Sequence, residues 1–490
     1  MKRYIIAIDQ STSASKVMLV NNRGRILRRA SAAHTQFREG AGFSEQDVQE
    51  IYQNVVSCIE TVTDGVAAGE IAALAISNQR ETTAFWHRAT GLPARRAIVW
   101  QDVRAASVCD ALRPHAESIR QTTGLALSAY YPAAKAAFAF QRDARLRALA
   151  DSGDLCIGTI DSYLIYRLTE GKTFATDITN ASRTQLFHIH TQTFDPALMR
   201  LFEIPTHCLP EVLPSDAFFG FTCAKGVPSG LPILGVMGDS HASLFGQNCT
   251  QEGSVKTSYG TGSSVMMNTG SHPYPSGRGL STTIAYSHNG RVSYALEGNI
   301  THSGDTLVWL CEEAGMAASP SEIETLAQSV SDTGGVYLVP AFSGIGAPYF
   351  DETARAAFIG INRSTTRMHM ARAALESMAY QNADVIGEME RLSGRRVSLV
   401  RADGGGCKNE TLMRIQANLL GCEINASDET ETSALGAAYM AGFAAGLFTR
   451  ETADRPSTRR YTPTIDAQTR DALMNNWRSA VNRIVNRKGL

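Results

Sequence analysis

The chain has 490 residues, more than one ordinary hydrophobic core encloses, so two or three domains are expected. It is 43% hydrophobic and 19% charged, and its 46 basic and 47 acidic residues leave a net charge of -1. That balance excludes a disordered chain and gives no basic surplus for a nucleic-acid partner.

Ile5–Ile8 and Lys16–Val20 read as two strands joined by the polar turn Asp9-Gln10-Ser11-Thr12-Ser13-Ala14-Ser15. A helix is expected from Ser44, with Ser44 and Asp47 as a capping box and Val48, Ile51, Val55, Ile59 and Val62 at helical spacing. Ile71–Ile76 reads as a buried strand that delivers Asn78-Gln79-Arg80-Glu81 to its C-terminal end, where open α/β sheets keep their ligands. The second half repeats this grammar: strand-like Ser254–Ser258, the turn Tyr259-Gly260-Thr261-Gly262-Ser263-Ser264, and strand-like Val265–Met267. A domain boundary is expected near residues 245–253, giving domains 1–247 and 248–490. Thr366–Leu392 reads as a long helix with the stripe Leu375, Met378, Val385 and Met389 interrupted by Asn382. Thr432–Leu447 reads as a helix whose Ala and Gly residues permit close packing. The C-terminal stretch with Arg459, Arg460 and Arg470 reads as a solvated polar end. The nine cysteines, with no Cys-x-x-Cys pair, point to free thiols in a reducing compartment. Ile5–Ile8 is too short for a signal-peptide core, and no run reaches the roughly 20 apolar residues of a membrane span. A cytoplasmic enzyme without a membrane partner is expected.

Four motifs can carry chemistry. In Asp9–Lys16 the hydroxyls of Ser11, Thr12, Ser13 and Ser15 and the Lys16 cation suit phosphate, and Asp9 suits hydrated Mg²⁺; a plain Ser-rich hairpin capped by Asp9 is the alternative. It is not a Walker A loop, since Gly171-Lys172-Thr173 lacks the earlier glycine. Asp239, after the apolar Leu231–Met237, stands where a general base belongs, or caps the following helix; His241 reads as structural. Asp403-Gly404-Gly405-Gly406, before a helix starting near Asn409, lets a backbone approach an anionic ligand, or is a simple strand-to-helix turn. Arg80-Glu81 suits a polyhydroxylated ligand, or forms a salt bridge without one.

The motifs, in their order and phrasing, resemble the FGGY carbohydrate kinases, and the glycerol kinase branch most closely. The likeness runs through IAIDQSTSASK (6–16), ISNQRETTAFW (76–86), GDSHASLFGQ (238–247), YGTGSS (259–264), ALEGNITHSG (295–304) and DGGGCKNETLMRIQANLLG (403–421), and covers nearly the whole length. It implies an α/β fold of two actin/hexokinase-like (ribonuclease H-like) domains flanking a cleft that closes on ATP and a small polyol or sugar. Carried over by position, Asp239 is the catalytic base, and Arg80, Glu81 and Tyr130 contact the acceptor. Asp9 and the Ser11–Ser13 turn form the first phosphate hairpin beside the metal, and Thr261 lies in the second. Gly304, Gly405, Gly406 and Asn409 contact nucleotide. Relatives form homodimers or homotetramers.

The sequence departs from glycerol kinases where Gln usually follows the base (Ser240) and where Phe usually follows Tyr-Gly-Thr-Gly-x (Ser264). Both are substrate positions, and the changes imply a roomier, more polar pocket. Ser11 and Lys16 replace the usual Gly and Arg of the first hairpin, and the Trp usual near Lys135 is absent. Lys225–Gly230 lacks the Gly-Gly-Thr-Arg loop that senses fructose 1,6-bisphosphate in some bacterial members, so that feedback is not expected. Three functions are expected in turn: a glycerol-like polyol kinase; a kinase of a tetritol, pentitol or pentulose; or a catalytically silent binder of sugar or nucleotide.

Overall fold

The computed structural model describes residues 1–40, 42–453 and 459–485. Strand β1 (Tyr4–Gln10) lacks polar alternation because it is the middle strand of a five-stranded sheet covered on both faces. Antiparallel β2 (Ala14–Asn21) and β3 (Ile26–Ala33) lie on one side of it. Parallel β4 (Ile71–Asn78) and β5 (Ile233–Gly238) lie on the other, giving the order β5-β4-β1-β2-β3. Ile6 and Ile8 point toward helix α1 (Val48–Thr63), whose Val48, Ile51, Val55, Ile59 and Val62 are all buried. Each side chain so buried contributes roughly 1.5–3 kcal/mol. The helix starts later than expected. Asp47, not Ser44, is its cap, accepting from Gln49 N–H at 2.8 Å. Ser44 precedes a short strand, Glu45–Gln46, that separates it from the helix, and its N–H donates to Asp102 at 2.9 Å.

A second sheet of seven strands repeats the plan. Antiparallel β6 (Val255–Tyr259), β7 (Ser263–Gly270), β8 (Ser281–His288) and β9 (Arg291–Ile300) are followed by β10 (Leu399–Asp403), parallel to β6, then β11 (Glu423–Ala426) and β12 (Arg459–Tyr461). The order is β8-β9-β7-β6-β10-β11-β12. In each sheet a hairpin sits beside strands parallel to its first member, the ribonuclease H-like arrangement of actin and hexokinase. Residues 247–254 connect helix α2 (Asp239–Gly246) to the second sheet.

Helix α3 (Gly304–Glu312) follows β9. Helix α4 (Arg367–Ser393) carries the capping box of Thr366 and His369 and ends at Gly394, where φ is +67°. Asn382 does not break its buried stripe, because its Nδ2 donates to Met378 O at 2.7 Å on the same helix. Helix α5 (Glu410–Leu420) follows β10. Helix α6 (Thr432–Ala444) crosses back onto the first sheet and covers the face that carries Ile5 and Ala7. Its small residues are needed there: a Cβ on Gly436 would lie 1.8 Å from Ala242 O of α2. The helix stops short of Leu447, since Gly446 takes φ +66° and Leu447 and Phe448 N–H turn back to Gly442 O.

The C-terminal stretch is not a solvated end. Arg459 sits in strand β12, paired with Asp428 at 2.7 Å and donating to Ser427 O at 2.7 Å. Helix α7 (Ala467–Val481) buries Trp477, which stacks on Tyr380 and donates to Asp384 at 2.6 Å. Arginines at the ends of buried elements look, in sequence, like surface charge. Among the described residues no helix is long and apolar enough to cross a membrane.

Candidate active site

Strands β1, β4 and β5 all end at one edge of the first sheet, and the two hairpin turns meet them there. Arg80 follows β4 and is almost fully buried. Its Nε lies 3.0 Å from Asp239 Oδ1 at the start of α2, and an Nη lies 2.7 Å from Glu297 on β9. Glu297 in turn meets Arg183 at 2.7 Å, and Arg183 meets Glu81 at 2.6 Å. Asp239, Arg80, Glu297, Arg183 and Glu81 therefore form one chain of alternating charge. Four members are buried, while the Asp239 side chain keeps 38% exposure and faces open space. Burial alone would raise the Glu297 carboxyl, but Arg183 and Arg80 hold it well below the usual carboxylate range. At Glu81 burial wins over the same two arginines, and its pKa is raised. Glu81 also holds φ +61°, an unfavourable backbone for a non-glycine residue of the kind that collects at functional sites. Arg80 Nη1 is buried without a protein partner.

Neither Arg183 nor Glu297 stood out in the sequence as a site residue. Glu297 had a signal, a carboxyl following the apolar Ala295-Leu296. Arg183 had none, since it reaches the site only through the tertiary fold.

Tyr130 packs edge-on against Trp100, ring centroids 5.6 Å apart, and burial and nearby Glu81 raise its hydroxyl pKa well above the ordinary value. Buried Lys135 holds the backbone under Tyr130, donating to the carbonyls of Ala129 at 2.7 Å and Tyr130. Ser240 Oγ and Ser264 Oγ lie 3.5 Å apart beside Asp239. Asp239 also accepts from the adjacent Ser240 N–H at 2.6 Å, but Gly238, not Asp239, occupies the cap position of α2, so Asp239 does not cap that helix. His241 is buried, and burial lowers its pKa well below the ordinary value, consistent with a structural role.

The first hairpin is more tied down than its sequence suggests. Ser11 Oγ closes its own turn by donating to Ala14 O at 2.9 Å. Thr12 Oγ1 accepts from Trp100 Nε1 at 2.9 Å. Lys16 Nζ lies 3.0 Å from Glu431, just before α6. Ser13 is the exposed tip. Asp9 accepts from Ser77 at 3.1 Å, and burial, with Asp239 nearby, raises its pKa to about 7. In the second hairpin Gly260 O accepts from Gly304 N–H at 3.0 Å, and Thr261 O accepts from Ser303 and Asp305 N–H at 3.1 Å, leaving Thr261 exposed. Side chains on Gly404 and Gly406 would strike Tyr259, whereas Gly405 faces open space. Asn409 caps α5, accepting from Leu412 N–H at 2.8 Å.

Residues 4–246 match the model of the N-terminal domain of the FGGY family of carbohydrate kinases, and residues 255–445 match the model of its C-terminal domain. This chain belongs to the FGGY family of carbohydrate kinases. Among relatives of this FGGY kinase, the glycerol kinase of Shewanella pealeana is 41% identical over 489 residues, spanning 98% of this chain and 99% of that one. The glycerol kinase of Dechloromonas aromatica is 42% identical over 488 residues, spanning 98% and 97%. Among solved structures, Plasmodium falciparum glycerol kinase with ADP superposes with a TM-score of 0.94 at 31% identity, covering 99% of this chain and 98% of that one. Gluconate kinase from Lactobacillus acidophilus shares the fold, with a TM-score of 0.90 at 22% identity and 99% coverage of both chains. The FGGY kinase thus carries the two-domain actin/hexokinase-like fold throughout its length.

Proposed function

We propose that this kinase transfers the terminal phosphoryl group of ATP to a terminal hydroxyl of a small, glycerol-like polyol or sugar, with Asp239 as general base. The observation that supports the base is the asymmetry of the charge chain: of its three carboxylates, Asp239 alone combines an arginine partner with an open face. The glycerol kinase relatives support a polyol acceptor, and the ADP in one of them supports the nucleotide.

Phosphoryl transfer asks for positioning and charge neutralisation more than covalent chemistry. The acceptor hydroxyl gives its proton to an Asp239 oxygen as its own oxygen bonds to the γ-phosphorus and the bond to ADP breaks. Arg80 holds Asp239 in place through Nε and has Nη1 left for an acceptor oxygen. Glu81 accepts from a second hydroxyl, and Tyr130 walls the carbon chain. Thr12, Ser13 and Thr261 meet the phosphates from opposite hairpins, with Lys16 adjoining. Gly304, Gly405, Gly406 and Asn409 form the nucleotide side.

Asp9 fits Mg²⁺. That ion takes one or two carboxylates, keeps several waters and completes its shell with phosphate oxygens. Among the described residues no group of three or more His, Cys, Asp or Glu side chains offers a cage, which suits this mode of binding. When bound, Mg²⁺ would offset negative charge on the phosphates. We place the enzyme in the cytoplasm, where ATP is supplied and its nine free cysteines stay reduced; a homodimer or homotetramer is the assembly we expect.

A coupled ADP-release assay with glycerol, erythritol, xylitol and dihydroxyacetone tests the reading. Acceptor-dependent ADP release that also requires Mg²⁺ is expected. ATP binding without turnover on any acceptor would return the chain to the silent-binder class.

A further inference from the structure

Strand β5 lies at the edge of the first sheet, so its outward N–H groups have no neighbouring strand to bond. Buried donors need other partners. Val236 N–H finds Ser215 O at 3.0 Å, and Gly238 N–H, the last before Asp239, finds the hydroxyl of Thr179 at 2.9 Å. Thr179 donates its own proton to Asp177 Oδ1 at 2.6 Å. Asp177 caps the short helix Ile178–Ala181, accepting from Thr179 and Asn180 N–H. A cap asks for no more than that. Here the same carboxylate also accepts from Asn180 Nδ2 at 3.0 Å and from Ser215 Oγ at 2.8 Å. Asn180 Nδ2 donates in addition to Asn78 Oδ1, and Asn78 Nδ2 donates back to Asn180 Oδ1, both at 2.9 Å. Asn78 ends β4, two residues before Arg80. Asp177, Thr179, Asn180 and Asn78 are all fully buried.

One carboxylate thus reaches the end of β5 through Thr179 and the end of β4 through Asn180. Those two ends carry Asp239 and Arg80, which meet at 3.0 Å. The fit between them is tight, since a Cβ on Gly238 would lie 2.7 Å from Arg80 Cγ. The same segment goes on to supply Arg183 to the charge chain. We propose that Asp177 is a positioning residue, acting through Thr179 on Asp239 and through Asn180 on Arg80, and that it sets the spacing of base and arginine. This rests on the kinase reading above, in which that pair receives the acceptor hydroxyl. Misplacing a reacting group by about 1 Å can cost on the order of 10²-fold in rate.

The test compares two isosteric changes on one segment, with thermal melts, KM for ATP, and kcat on the acceptor that the wild type turns over fastest. Thr179→Val removes the acceptor of Gly238 N–H. Thr176→Val is the control: Thr176 is buried too, and its hydroxyl donates to a buried carboxylate, Asp161 Oδ2, at 2.7 Å, but it bonds neither strand end. Both should lower the melting temperature. Thr179→Val alone should cut kcat, by on the order of tenfold to a hundredfold at an unchanged KM for ATP, and Thr179→Ser, which keeps the hydroxyl, should restore it. Asp177→Asn, which loosens both arms, should lose at least as much as Thr179→Val. A merely structural cluster would lower the melting temperature and leave kcat of the folded enzyme alone. Parent kcat in Thr179→Val or Asp177→Asn, or an equal fall in Thr176→Val, therefore overturns the proposal. Should Thr179→Val and Asp177→Asn both fail to fold, Asn78→Ala decides: it cuts the other arm and should lower kcat/KM for the acceptor with the KM for ATP kept, and parent kinetics there overturn the proposal. An active wild type matched by Thr179→Val defeats only this inference, whereas a wild type without turnover on any acceptor defeats the kinase reading with it.

Discussion

Lys16 Nζ lies 3.0 Å from Glu431 Oε2, joining the first hairpin to the loop that enters α6. The pair is half open on the lysine side, so its contribution to stability is small, about 1 kcal/mol or less. Its effect on nucleotide binding should be larger, because Glu431 competes with phosphate for the same cation. Lys16→Met should raise the KM for ATP several-fold. Glu431→Gln should lower it, with little change in melting temperature. Steady-state kinetics at varied ATP check both signs.

Glu297 stands between Arg80 and Arg183, all three buried. Removing its charge leaves two arginines facing each other, and breaking a buried pair costs roughly 3–5 kcal/mol. Glu297→Gln should therefore shift the denaturation midpoint clearly. It should also cut kcat/KM, since Arg80 loses one of the two carboxylates that orient it. A variant as stable as the parent would show that this charge chain is not what fixes Arg80.

The glycines of the 404–406 turn should separate cleanly. Gly404 has φ +85°, and a Cβ there would lie 2.4 Å from Tyr259 O, so Gly404→Ala should destabilise the fold. Nothing stands within 4 Å of a Cβ on Gly405. Gly405→Ala should keep its melting temperature while raising the KM for ATP, a split that marks a ligand-facing backbone. Thermal melts alongside ATP titrations measure it.

Asp9 carries a pKa of about 7, raised by burial and by Asp239. The folded protein thus holds the proton more tightly than the unfolded chain. That contribution to metal-free stability is complete below the ordinary value of 3.8 and is lost as pH rises toward 7. Mg²⁺ needs the carboxylate, so its apparent affinity should climb between pH 6 and pH 7 and level off above. Isothermal titration with Mg²⁺ and an ATP analogue across that range checks the slope, and Asp9→Asn should flatten it.

Much of this was legible before the structure. Ile5–Ile8 announced a strand and Ile71–Ile76 a buried one, and the echo between residues 9–20 and 258–268 announced two hairpins built alike. The errors share a cause. Ser44 and Asp47 offer similar capping chemistry three residues apart, but Glu45–Gln46 pair as a short strand with Ile98 and Ala97, which leaves Asp47 at the start of the helix. Arg459 looked like surface charge because its acceptors, Asp428 and Ser427 O, lie about thirty residues away. Arg183 was invisible for the same reason: its partners Glu81 and Glu297 are distant in sequence, and no local spacing records the pairing. The hydroxyls of Ser11 and Thr12 were read alike as phosphate donors, yet the fold commits the Ser11 proton to Ala14 O, while Thr12 Oγ1 accepts from Trp100 and keeps its proton.

The central claim is that Asp239 takes the proton of the acceptor hydroxyl, and single-turnover phosphoryl transfer by Asp239→Asn tests it most directly. The account predicts a transfer rate lower by about 10²–10⁴-fold with the affinity for ATP kept. A variant that transfers phosphate at half the parent rate would contradict it.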